Sequence, residues 1–392
     1  MGSGDVLVSA LCGLLDTLRS KLIRVTTRSP LLRELFQCRA RRLAALFALA
    51  CMSSLALSAL VPLWLLLLGP LVYGIPHIFA SLRYFHPMVA GAVGPRPAPP
   101  GSEERRRAGL ILVAALPLFA GIIAYRLLVN LNVANLNVAQ LSEWTGSTYL
   151  ELGGLAAAFI AGALIYRVGL RRTASGALLL APLVAGFAIS PIATVGALVM
   201  IHNFVGYGYW IRAAGNPEEK SVAWGGFAVA LAVTCAILGG GMDGAFRHFQ
   251  PTVALSFAGL SAQDMARLIL PNLEGETLWL RLSCAFAFGQ AMHYFVWLKA
   301  IPDQFHYHQV PTSFRQSLKL LERDFTRAGT VLILCLTAGS FALWSLLTFK
   351  MARLVYFAIA SFHGYFEIAG LALAPKQSPQ LKSAAAVVSP NV

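Results

Sequence analysis

RLAALFALACMSSLALSALVPLWLLLLGPLVYGIPHIFASLR, residues 42–83, runs from one arginine to another with no charged side chain in between. A helix crosses a bilayer with ~20 residues, so this stretch is too long for a single crossing. Pro62 sits near its middle. Proline removes a backbone N–H and its ring clashes with the preceding turn, so the run reads as two helices, 43–60 and 62–85, with a tight hairpin at Pro62. Residues 174–212 repeat the arrangement around Pro191, as 174–190 and 192–212.

Working outward, further apolar runs lie at 108–129, 147–167, 224–242, 277–299, 328–348 and 352–374. The fold expected is an all-α polytopic integral membrane protein of about ten transmembrane helices. Composition agrees: 57% of the 392 residues are hydrophobic and 12% charged, against about 25% charged in a soluble domain.

The formal charge of +14 does not point to nucleic acid, because no basic stripe with interleaved aromatics occurs outside the apolar runs. Basic residues instead gather in alternate loops. Eight of them, from Arg19 to Arg42, precede the first run, and Arg105–Arg107, Arg167, Arg171, Arg172, Arg212, Lys220, Lys299, Arg315, Lys319, Arg323 and Arg327 fill every second connection. The positive-inside rule then puts both termini in the cytoplasm, in a bacterial inner (cytoplasmic) membrane. Three segments follow: a cytoplasmic amphipathic segment, 1–42, a transmembrane domain, 43–374, and a flexible C-terminal tail, 375–392. Within the first, VLVSALCGLLDTLRSKLIRV suits an interfacial helix better than the core of a signal peptide. The outer loop 243–276 fits a short lid or interfacial helix equally well. The six cysteines form no CxxC pair and read as small core residues.

Four of eight histidines fall inside apolar runs: His77, His202, His293 and His363. Each lies on an even-numbered helix, so all four helices run in one direction. Counting to the basic residues Arg83, Arg212 and Lys299 at 1.5 Å per residue puts the first three depths within about 6 Å of one another. The four read HIF, HNF, HYF and HGY, and two extend further, to HIFASLR and HYFVWLK. Ionisable groups at membrane depth are costly and by default suggest a site. Neutral imidazole is the commonest metal ligand and suits iron, copper and zinc. Independent packing roles are the plain alternative.

Glu367 follows His363 by four residues on the same helical face, as a carboxylate ligand, a group orienting an imidazole, or a catalytic group. Tyr207 and Asn203 flank His202, and Gln290 precedes His293 by three; Tyr207 joins Glu367 as a catalytic candidate. His86, His248, His306 and His308 read as interfacial or solvated, and the segment holding Asp303, His306 and His308 reads as a polar loop, with a second cytoplasmic metal site as its alternative. With four imidazoles and no thiolate, a structural zinc site does not fit. A non-haem iron centre with an open position for dioxygen and a lipophilic substrate entering from the bilayer is the leading reading. Haem b held by histidine pairs for electron transfer is its alternative, although four ligands at one depth favour a single mononuclear centre. A proton-coupled transporter or channel using Glu367 stays open, as does a scaffold in which the histidines only pack. Oligomeric state cannot be read, since interface and core glycines look alike.

The stretch Tyr73-Gly74-Ile75-Pro76-His77 resembles the GLPH signature on an early helix of the Brp/Blh-type bacterial carotene oxygenases. These are polytopic membrane proteins whose histidine-bound iron cleaves β-carotene to retinal. The resemblance covers this motif and the general scheme of intramembrane histidines. Ile78, Phe79 and Ala80 depart from the family's continuation, closely spaced late histidines are missing, and this chain is longer. The resemblance implies an oxygenase acting on an isoprenoid-like substrate, and it carries over His77 alone.

Overall fold

The computed structural model describes residues 3–90, 117, 119–124, 145–249, 256–257, 260–261, 275–305, 313–346, 356 and 362–374. Expectations for the 375–392 tail, for His306 and His308, and for most of the 108–129 run lie outside the described residues.

Regular structure among the described residues is helical, apart from a two-residue antiparallel pair, Ser256–Phe257 with Leu260–Ser261. The helices are α1 Ser3–Thr26, α2 Pro30–Gln37, α3 Arg39–Leu60, α4 Pro62–Gly69, α5 Ile75–Ala90, α6 Thr145–Ile165, α7 Leu170–Ile189, α8 Pro191–Ala213 and α9 Pro217–Leu238. They continue with α10 Asp243–Phe249, α11 Glu276–Phe295, α12 Ile301–Gln304, α13 Phe314–Leu346 and α14 Phe362–Leu373. Of residues 243–276, α10 covers Asp243–Phe249. Among the described residues, four stretches are long and apolar enough to cross a membrane: Arg39–Leu60, Pro62–Tyr84, Leu170–Ile189 and Pro217–Leu238.

Both expected breaks occur at their prolines. Val61 leaves the helical region at φ −145°, and Pro62 opens α4. Ser190 does the same at φ −148° before Pro191. A Cβ on Gly186 would stand 2.7 Å from Thr194 Oγ1. Eight residues along a continuous helix span ~12 Å, so the chain turns back on itself at Pro191. Farther on, Thr326 interrupts α13 with φ 64°, and its Oγ1 accepts from the Gly329 N–H at 3.3 Å. The hydroxyl caps the half of α13 that contains the expected span 328–348.

At the centre stands α11, packed against α3, α4, α8 and α9. Its side chains from Ser283 to Gln290 are all buried, as are Met292, His293, Tyr294, Val296 and Trp297. A helix apolar on every face belongs in the middle of a bundle. The small residues Ser283, Cys284, Ala285, Ala287 and Gly289 let its neighbours approach closely. Across the bundle α14 packs against α5, α6, α7 and α8.

Among the described residues two single π-turns interrupt the helical ladder, at Pro70–Gly74 and at Val296–Ala300. Each precedes a proline by two residues, Pro76 and Pro302, whose missing N–H removes a rung of the i→i−4 ladder. Insertions of this kind recur at functional sites. Here one ends three residues before His77, and the other begins three after His293.

A buried ionic layer ties helix ends together. Arg42 Nη2 donates to Asp303 Oδ2 at 2.9 Å, Lys299 Nζ lies 3.4 Å from Asp303 Oδ1, and Arg39 lies 3.8 Å from Glu219. Glu219 also accepts from the Gly215 N–H at 3.1 Å, while Asn216 Oδ1 accepts from the Glu219 N–H at 2.8 Å. This reciprocal capping, with Pro217 at the first helical position, fixes where α9 starts. Burial alone would raise the Asp303 carboxyl, but Lys299, Arg42 and Arg39 together hold it below its ordinary value.

Candidate metal centre

Four helices each contribute one imidazole to a common point: α5 gives His77, α8 His202, α11 His293 and α14 His363. The rings form a closed circuit. Centroids lie 5.3 Å apart for His77–His293, 4.5 Å for His293–His202, 5.0 Å for His202–His363 and 4.8 Å for His363–His77. Glu367, one turn beyond His363, reaches the same point: its Oε2 is 3.6 Å from His202 Nδ1 and its Oε1 is 3.9 Å from His363 Nε2. One ligating atom from each of His202, His293, His363 and Glu367 lies within 4.8 Å of all the others.

His77 joins this group through His363, Nε2 to Nε2 at 2.9 Å. Its other ring nitrogen, Nδ1, is 3.1 Å from the Tyr73 carbonyl in the preceding π-turn. With Nδ1–H donating to that carbonyl, Nε2 presents a lone pair. This is the usual posture of a ligating histidine, whose second nitrogen is fixed by a backbone carbonyl or carboxylate. The 2.9 Å spacing suits an N–H···N hydrogen bond. It also suits two neighbouring ligands of one ion, because bonds of ~2.1 Å at right angles set their donor atoms ~3 Å apart.

The polar bookkeeping inside the cluster is unusual. His202 Nδ1, both ring nitrogens of His293 and both oxygens of Glu367 are buried without a hydrogen-bond partner. Ser81 and Trp297 stand beside the carboxylate, and the Asn203 backbone beside His293, without reaching hydrogen-bond geometry. Each orphaned group costs about 1–3 kcal/mol. Buried polar atoms are otherwise paired in the great majority, so a knot of lone-pair donors calls for a cation that all of them can bind. The donor set, imidazole nitrogen with one carboxylate and no thiolate, fits a divalent transition metal.

Glycine makes the convergence possible at one position. A Cβ on Gly364 would sit 3.1 Å from His202 Nδ1, so the residue after His363 must be small for the α8 imidazole to reach the cluster. Replacing Gly364 with Val should push His202 aside and lower metal retention at least ~10-fold, with helix content by circular dichroism unchanged. Unchanged metal content in that variant would remove His202 from the site.

Beyond the imidazoles, Gln290 Nε2 donates to the Tyr294 hydroxyl at 2.9 Å, and the Tyr294 ring lies 4.7 Å from His77. Asn203 Nδ2, on the residue after His202, and Gln290 Oε1, three residues before His293, are buried without partners. Tyr207 is placed elsewhere. Its ring packs among Phe47, Phe204, Trp210 and Phe227, at centroid distances of 5.8–6.4 Å. Five residues turn a helix by ~140° beyond a full revolution, so Tyr207 faces away from the side that carries His202. Asp303, weighed with the neighbouring loop histidines, is held in the ionic layer by Arg42 and Lys299. Sequence reasoning missed Trp297, Tyr294 and the Tyr73 carbonyl. The one available signal was that Tyr294 and Trp297 share the HYFVWLK phrase with His293. Comparison with protein families, curated proteins and solved structures finds no match for this chain.

Proposed function

We propose that the chain is a polytopic membrane protein of ten spans, with both termini cytoplasmic. In this reading it holds one non-haem iron ion at His77, His202, His293, His363 and Glu367 and oxygenates a lipophilic substrate drawn from the bilayer. The observation that carries the reading is the buried cluster of unsatisfied imidazole and carboxylate donors among apolar helices. The topology draws support from the ionic layer, which gathers the start of α3, the start of α9 and α12, the short helix that follows α11, at one level. Two odd-numbered spans that begin in the cytoplasm and an even-numbered one that ends there would meet in this way.

Several features favour iron as a bare ion over haem. The imidazole rings touch one another, with centroids 4.5–5.3 Å apart around the circuit, which leaves no slot for a macrocycle between them. The donor set, imidazole nitrogens with one carboxylate, is one that would suit a non-haem iron ion. Bound there, iron would supply the binding and activation of dioxygen.

The chain's own residues have separate tasks. His77, locked by the Tyr73 carbonyl, presents Nε2. Glu367 supplies the one negative charge, offsetting that of the cation in a medium where an isolated charge is prohibitively costly. Tyr294 and Trp297 wall the site against water. The YGIPH resemblance points to an isoprenoid-like polyene as substrate. A proton-coupled transporter would use the same buried carboxylate and histidines, and metal content separates the two.

Expression in cells that accumulate β-carotene tests the substrate. The account expects loss of the yellow colour with wild-type protein and retention of colour with His293→Ala at equal expression. Retained colour in both would sink the carotenoid assignment.

A further inference from the structure

Leu11, Leu14, Leu18, Leu22 and Val25 are each more than half exposed. Their spacing of three and four residues puts them in one row along α1. The opposite side of the helix is already engaged. Asp16 Oδ1 accepts from the Phe314 N–H at 2.7 Å and Oδ2 from the Arg315 N–H at 3.3 Å, so this carboxylate caps the start of α13. Gly13 lies beneath the Arg315 guanidinium, 2.7 Å from where a Cβ would stand. Thus α1 is fixed to the bundle by its polar side and turns its apolar row outward.

Charge decides what meets that row. Lys21 and Arg24 lie to one side of it and Arg28 just past the end of α1, all three exposed, and Arg19 lies to the other side. Residues 1–42 hold eight Lys and Arg (Arg19, Lys21, Arg24, Arg28, Arg33, Arg39, Arg41, Arg42) against three acidic residues (Asp5, Asp16, Glu34). An apolar row bordered by cations is the pattern of a helix lying in the interface of an anionic bilayer. The membrane is also close at hand, because α3, long and apolar enough to cross it, begins at Arg39.

We propose that the apolar row of α1, with Lys21, Arg24 and Arg28, docks on the anionic phospholipid surface of the bilayer that the chain spans. The proposal rests on the membrane reading and is independent of the metal. The leucines enter the boundary between headgroups and acyl chains, and the basic edge meets headgroup phosphates. Because Asp16 ties α1 to α13, and α13 packs on α5 through the Arg83–Asp324 ion pair, lipid contact at α1 bears on the helix that carries His77.

Trypsin cleavage at Lys21, Arg24 and Arg28 tests this in the full-length protein. Nanodiscs holding one copy each are prepared from phosphatidylcholine alone or with 30% phosphatidylglycerol. The proposal expects cleavage at least ~10-fold slower with the anionic lipid, and expects Leu14→Glu/Leu18→Glu to abolish that protection while leaving every cation in place. Equal cleavage in both lipids overturns the proposal. So does protection that survives the double substitution, or that develops only when two copies share a disc.

Discussion

His293→Ala should strip the protein of its metal, lowering affinity by more than the ~10–100-fold typical of losing a residue that merely orients a ligand. The reason is local. His293 is buried on the central helix, touches His77 and His202, and has both ring nitrogens unpartnered. A second substitution shows which role the imidazole has. In a metal-loaded protein, His293→Leu removes a ligand and lowers the unfolding midpoint measured in detergent. Were His293 only a packing residue, the same change would replace two unsatisfied polar atoms with hydrocarbon of similar volume, and the midpoint would hold or rise. A chelator should reproduce the loss in wild-type protein and leave His293→Leu unaffected, because ligand binding to the native state sets the difference.

The second large effect belongs to the ionic layer. Asp303→Asn leaves Arg42 buried beside a neutral group, and removing one partner of a buried pair costs about 3–5 kcal/mol. Replacing both, as Arg42→Met with Asp303→Leu, should cost much less, since no uncompensated charge remains. The pH dependence has a definite sign. The folded-state pKa of Asp303 lies below its ordinary value, so its contribution is full above that ordinary value and is lost as pH falls through the folded one. The stability gap between wild type and Asp303→Asn should therefore be constant near neutrality and close in acid, below the usual carboxylate range. Denaturant midpoints at neutral and acid pH check this, and a gap that persists in acid would remove Asp303 as its source.

How far the fold and the centre were legible depends on which physical rule each feature obeys. The breaks at Pro62 and Pro191 were readable because proline acts on its own backbone, whatever surrounds it. The four histidines were readable because a polar residue in an apolar run is conspicuous and its depth follows from counting residues. What was not readable arises between helices. Nothing local says that Glu367 reaches His202 as well as the histidine four residues before it, or that Gly364 is small on account of an imidazole from another helix. The π-turns beside His77 and His293 shift the helical phase by one residue, and a periodicity count across an all-apolar stretch cannot register that shift. Tyr207 shows the converse. Nearness in sequence to His202 suggested a shared site, but five residues of helix turn it toward Phe47 and Phe227 instead.

Metal analysis of the purified protein, read with its optical spectrum, decides whether the histidine cluster holds iron. About one iron per chain is expected, with no Soret band and with loss of that iron on replacing His293 or Glu367. A preparation without iron, or with iron that both substitutions leave in place, would contradict that expectation.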